Sequence, residues 1–67
     1  MNILVTGTSG FIAKKLAAKL KKARHTVYCL DRTSSGLENE IVLDISDKDF
    51  VKNFPSIQVD YIFHLAA

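Results

Sequence analysis

The sequence predicts an α/β fold: a partial parallel sheet of about four strands, in the order 3-2-1-4, with flanking helices. Three observations predict it. Short apolar runs alternate with helical patterning in the series β-α-β-β-α-β. The runs are apolar at consecutive positions, as in strands buried on both faces of a parallel sheet with right-handed crossovers. A glycine-bearing turn stands between the first strand and the first helix, and a turn of that kind goes with this strand order.

The first strand is expected at Asn2 to Thr6 around Ile3, Leu4 and Val5, followed by the turn Gly7, Thr8, Ser9, Gly10. From Phe11 to Arg24 the period becomes helical, with Ile12, Ala13, Leu16, Ala17, Leu20 and Ala23 on one arc and lysines elsewhere. A second strand runs from Val27 to Leu30 with Asp31 at its carboxyl end, and Thr33 to Gly36 forms a polar loop. The third strand, Glu40 to Leu43, ends at Asp44. Ser46 with Asp49 three residues on reads as a capping box, so a short helix should start there, face Phe50, Val51 and Phe54 inward, and stop at Pro55. Val59 to Leu65 is the fourth strand, with Tyr61, Ile62 and Phe63 at its apolar centre. Without a strand beside it, that run leaves an open apolar edge, so the chain should self-associate there or be a fragment.

Composition narrows the function classes. At 67 residues the chain holds one compact unit at most, and 48% hydrophobic residues with a single proline exclude a disordered tail. Roughly 60% of the unfolded surface can be buried at this size, leaving marginal stability. The lone Cys29 forbids an internal disulfide framework and any cysteine-based zinc site, and His25 and His64 have no soft ligands nearby, so no metal site is expected. No apolar run approaches membrane-spanning length. A strand beginning at Met1 leaves no room for a signal peptide, and the expected setting is cytoplasmic. Net charge is +2, and Lys14, Lys15, Lys19, Lys21, Lys22 and Arg24 fall in one stretch. With no aromatic residues among them, these read as a solvated helix face rather than a nucleic-acid surface, and they complement the helix dipole.

The turn from Thr6 to Ala13, TGTSGFIA, lies between a buried strand and an amphipathic helix, the context in which a glycine pattern signals dinucleotide binding. Gly7 permits the tight turn, Gly10 lets backbone approach a diphosphate, and the helix-opening N–H groups face the phosphates. Ala13 takes the place of a third small residue at the helix-strand contact. A kinase-type phosphate loop is excluded, because Ile12 stands where its second glycine would be. Asp31, 21 residues after Gly10, can accept hydrogen bonds from adenosine ribose hydroxyls and repel a 2′-phosphate, favouring NAD over NADP. Arg32 pulls the other way, since it could stack on adenine or pair with that phosphate. Asp44 and Ile45 could accept from the adenine amine and pack on its ring. His64 reads as a packed or hydrogen-bonded strand residue, Cys29 as a buried thiol, and Tyr28 and Tyr61 as sheet core.

Together TGTSGFIA, YCLDR, VLDIS and VDYIFHLAA resemble the extended short-chain dehydrogenase/reductase family, and within it the amino-terminal part of NAD-dependent epimerases and dehydratases acting on nucleotide sugars. The resemblance covers the whole chain and implies a Rossmann-like fold. Residues 1–67 would be the first part of an NAD(P)-binding domain, with the catalytic and substrate-binding portion absent. It implies that Gly7, Ser9, Gly10, Phe11 and Ile12 belong to the diphosphate loop and Asp31 and Arg32 to the adenosine-ribose segment. Asp44 and Ile45 would contact adenine, and Leu65, Ala66 and Ala67 would lie along the cofactor towards its nicotinamide half. Two departures stand out: Ala13 replaces the third glycine, and Arg24 replaces the glycine before the second strand, where a left-handed helix cap would be strained. The family's catalytic tyrosine is followed four residues later by lysine; Arg32 follows Tyr28 and Leu65 follows Tyr61 at that distance, so no catalytic residue is expected here. The resemblance implies a nucleotide-sugar enzyme as the parent. A carbonyl reductase of the same superfamily, a non-catalytic dinucleotide-sensing or partner-binding module, and a basic-helix nucleic-acid binder are the alternatives.

Overall fold

The computed structural model describes residues 1–34 and 36–65. Its elements are β1 (Asn2–Thr6), α1 (Phe11–Lys22), β2 (Thr26–Asp31), β3 (Glu40–Val42), α2 (Phe50–Asn53) and β4 (Tyr61–His64). The four strands form one sheet in the order β3-β2-β1-β4, every pair parallel, as expected. The registers place Thr6 beside Leu30 and beside His64, and Asp31 beside Val42, which aligns the carboxyl ends of all four strands.

Strand side chains alternate between faces. On one face Ile3, Val5, Val27 and Cys29 form a cluster with Ala13 and Ala17 of α1, and Leu20 and Leu37 pack against it. Two alanines one helical turn apart let α1 lie close to the sheet, so Ala13 does the packing work of the missing glycine. On the other face Leu4, Thr6 and Leu30 are also buried. The continuous apolar runs of β1 and β2 follow from this burial on both sides.

Several expectations are corrected. Ile12, assigned to the buried arc of α1, is 72% exposed, and Ala23 is exposed as well. Ile12 lies on the helix flank turned from β1 and β2, the two strands α1 packs on. The second helix starts at Phe50, not Ser46, and spans a single turn with Asp49 as its N-cap. The capping box fails because the Ser46 hydroxyl donates to Asp44 Oδ1 at 2.7 Å, leaving nothing to cap a helix. The inward face expected of α2 is reduced to Phe50 and Phe54, half-buried with ring centroids 5.5 Å apart, while Val51 is 85% exposed. Strand β4 begins at Tyr61 instead of Val59, and Tyr61 is exposed rather than core; Tyr28 is half-buried. All four β4 residues are exposed, since α1 does not reach over them and no described strand lies on their outer side.

The strained cap is present where the missing glycine placed it. Arg24 adopts φ 68°. Its N–H donates to Lys21 O at 3.0 Å and the His25 N–H donates to Leu20 O at 3.2 Å, the paired bonds that close a helix through a left-handed residue. A side chain in that conformation costs about 1 kcal/mol relative to glycine. Arg24→Gly is therefore expected to stabilise the fold by about that amount, read as a higher midpoint in thermal denaturation; an unchanged or lower midpoint would show that the turn is not strained.

Candidate functional site

The carboxyl ends of the strands surround one cavity of about 360 Å³. β1 contributes Thr6 and the loop residues Gly7, Ser9 and Gly10; β2 contributes Leu30, Asp31 and Arg32. Leu43, Asp44, Ile45 and Ser46 close it after β3, and Leu65 closes it after β4. Thr6 and Leu65 carry its lining to the point where strand order reverses between β1 and β4, the crevice in which open parallel sheets take ligands.

The loop after β1 is shaped by its glycines. Gly7 has φ 78°, a conformation side chains disfavour, and its N–H donates to Leu30 O at 2.8 Å. The Gly10 N–H donates back to Gly7 O at 2.9 Å. A Cβ at Gly10 would sit 3.2 Å from that same carbonyl, so a larger residue would press on the turn and require it to give by a few tenths of an ångström. Helix α1 then opens with no side-chain cap and no acidic residue in its first turn. Its leading N–H groups have no intrahelical acceptors, which makes the end of the loop attractive to an anion. Phe11 and Ile12 lie in this first turn, with side chains 74% and 72% exposed and outside the cavity lining.

Asp31 meets the loop across the cavity. Its Oδ2 accepts from the Ser9 N–H at 2.9 Å and the Ser9 hydroxyl at 2.7 Å. Oδ1 accepts from the Thr33 N–H at 3.2 Å and the Thr33 hydroxyl at 3.4 Å. Partial burial pushes the carboxyl pKa up, but the hydrogen bonds from Ser9, Thr33 and the Arg32 backbone outweigh it and hold it below the ordinary range. Asp44 is fully exposed; the Ser46 hydroxyl and N–H, at 2.7 and 2.9 Å, hold its pKa down, with the Arg32 charge adding to the effect. Arg32 lines the same cavity, and Ile45 presents a partly exposed apolar side chain there.

The fourth wall is pinned by Thr6. The Leu65 N–H donates to Thr6 Oγ1 at 3.0 Å, and Oγ1 also pairs with His64 Nδ1 at 2.8 Å. His64 is therefore the hydrogen-bonded strand residue expected of it. Ala66 and Ala67, also read as site residues, lie outside the described residues. Cys29 is fully buried, and burial raises its thiol pKa, with Lys21 opposing and Glu40 reinforcing the shift. Among the described residues no group of three or more His, Cys, Asp and Glu is placed to hold a metal, and no helix is long and apolar enough to cross a membrane.

Eight of the sequence-predicted site residues (Gly7, Ser9, Gly10, Asp31, Arg32, Asp44, Ile45 and Leu65) are thus brought to one cavity. Sequence reasoning missed Thr6, Leu30, Leu43 and Ser46 as lining, and the Ser9–Asp31 contact. Thr6 could have been found from its place at the end of β1, and Leu30 from its place just before Asp31. The loop also contains Thr8, fully buried, whose hydroxyl has no hydrogen-bond partner among the described residues. Thr8→Val keeps the shape and removes the orphan group, and is expected to raise the melting midpoint by about 5 °C, the equivalent of about 1 kcal/mol at this size. A fall would mean that the hydroxyl is satisfied.

Comparison with known proteins follows this geometry. A crystal structure of a short-chain dehydrogenase/reductase superfamily protein from Agrobacterium tumefaciens, with bound NAD, superposes with a TM-score of 0.84 at 29% identity. The match takes in all of this chain and 20% of that one, so the chain spans about a fifth of the length of that relative. The model of the NAD dependent epimerase/dehydratase family matches residues 3–67. With its glycine turn, acidic strand ends and parallel sheet all inside that match, the chain belongs to the NAD dependent epimerase/dehydratase family.

Proposed function

We propose that this chain binds the adenosine diphosphate portion of NAD, as the cofactor-binding part of an epimerase or dehydratase acting on a nucleotide sugar. The observation that carries the reading is the convergence of Gly7, Ser9 and Gly10, Asp31, and Asp44 with Ile45 on one cavity at the carboxyl edge of the sheet. The residues fit the group. The tight turn at Gly10, where a Cβ would crowd the Gly7 carbonyl, brings backbone N–H groups to the diphosphate, and the acid-free start of α1 favours its charge. Asp31, ionised at neutral pH, accepts from the ribose diol. Asp44 accepts from the adenine amine while Ile45 packs on the ring. Phe11 and Ile12 act through their backbone in the diphosphate loop. Leu65, with Ala66 and Ala67, runs along the cofactor towards its nicotinamide half.

NAD is favoured over NADP because an ionised Asp31 repels a 2′-phosphate. When bound, the nicotinamide supplies reversible hydride acceptance from a sugar carbon. These 67 residues hold no tyrosine followed four positions later by lysine, so the chain itself orients the cofactor and moves no proton. The same proposal takes the exposed β4 side chains Tyr61, Ile62 and Phe63 as an edge for self-association and the cytoplasm as the setting.

The test is an amide NMR spectrum titrated with NAD. Saturable shifts confined to Gly7, Ser9, Gly10, Asp31 and Asp44 are expected. A dispersed spectrum that ignores NAD would reject cofactor binding and favour a partner-binding module.

A further inference from the structure

We infer that Ser9 is a positioning residue that sets nucleotide choice: its hydroxyl pins the Asp31 carboxylate at the cavity mouth, so that a plain adenosine ribose is accepted and a 2′-phosphorylated one is rejected. The inference rests on the proposed dinucleotide site and assigns a device within it. Ser9 follows β1 and Asp31 ends β2, and the parallel register that pairs Thr6 with Leu30 brings the two together across 22 residues of sequence. Both line the cavity.

The holding is one-sided. Oδ2 takes two short bonds from Ser9, at 2.7 and 2.9 Å, whereas Oδ1 takes a longer pair from Thr33, at 3.2 and 3.4 Å. Charge-assisted bonds of the shorter kind are the strong ones, so the carboxylate takes its orientation from the loop. The Ser9 hydroxyl has one proton and gives it to Asp31, so its oxygen keeps acceptor capacity for a ribose hydroxyl. A 2′-phosphate carries nearly two negative charges and no matching donor, and here it would meet a carboxylate that cannot turn away. Without the Ser9 hydroxyl, Oδ2 keeps a single N–H bond. The carboxylate can then rotate towards solvent, which weakens both the welcome to the diol and the repulsion of the phosphate. Nothing in the glycine spacing requires serine at this position, so the role depends on the cross-strand contact.

The experiment measures NAD and NADP affinities by calorimetry at fixed ionic strength for the wild-type protein, Ser9→Ala and Ser9→Thr, and follows the Asp31 carboxyl carbon through an acid titration by NMR. Ser9 is exposed, so alanine leaves the core packing untouched. Ser9→Ala is expected to lower the ratio of NAD to NADP affinity about tenfold and to make Asp31 titrate at higher pH, and Ser9→Thr to restore both. A shifted Asp31 titration with an unchanged ratio overturns the inference and leaves cofactor binding standing. Equal loss of both nucleotides also overturns it, because that is the mark of a purely structural residue. Failure of the wild-type protein to bind either nucleotide overturns the proposed function, and this inference with it.

Discussion

Leu30→Ala is expected to destabilise the fold by about 3 kcal/mol and to lower the melting midpoint by roughly 15 °C. Leu30 is 1% exposed and among the largest fully buried side chains. It stands on the sheet face opposite α1, in the central pair of strands, where little can move in to fill the space of the lost side chain. A chain of this length carries only about 3–10 kcal/mol of stability in all, so the substitution removes between about a third and all of it. The consequence for the site is direct. Leu30 lines the cavity, its carbonyl holds Gly7, and the next residue is Asp31. Thermal denaturation followed by circular dichroism decides the matter: a loss below 1 kcal/mol would mean that this face of the sheet repacks freely.

Asp31→Ala is expected to weaken NAD binding on the order of 30-fold, the loss of a pair of charge-assisted hydrogen bonds, while leaving the fold intact. Unchanged NAD affinity would sink the ribose assignment. The same variant has a pH signature. Hydrogen bonds from Ser9 and Thr33 hold the folded-state pKa of Asp31 below its unfolded value, so its contribution to stability is complete above about pH 4. That contribution is lost as pH falls through the lower folded-state pKa. The wild-type protein should therefore lose stability on acidification more steeply than Asp31→Ala over this acid range, and should show no difference in slope near neutrality.

The site was legible in sequence where a function depends on local chemistry. Gly7 and Gly10 announced the turn because a residue without a Cβ is favoured at φ 78° and beside a carbonyl that a Cβ would approach to 3.2 Å. Asp31 and Asp44 announced themselves by following apolar runs, and strand ends are where a parallel sheet presents side chains to a ligand. Arg24 announced a strained cap because glycine is what a left-handed helix end prefers. Ser46 misled for a related reason. A serine three residues before an acid fits a capping box, yet the same hydroxyl can reach back two residues to Asp44, and the geometry of the loop chose that partner. Val51 and Tyr61 misled because apolar character is not burial: α1 packs on β1 and β2 only, and neither residue has a layer above it.

The linear order of residues was enough to establish the α/β class, the parallel strand order, the glycine turn and the acidic strand ends. Each follows from periodicity, from steric limits on single residues, or from motifs whose parts lie within one turn or strand. Only the tertiary structure decided that Ser9 grips Asp31 and that Thr6 ties down Leu65 from 59 residues away. Those contacts join segments distant in sequence through the register of a parallel sheet. A polar side chain meets its partner there by position in space, and spacing along the chain carries no trace of it.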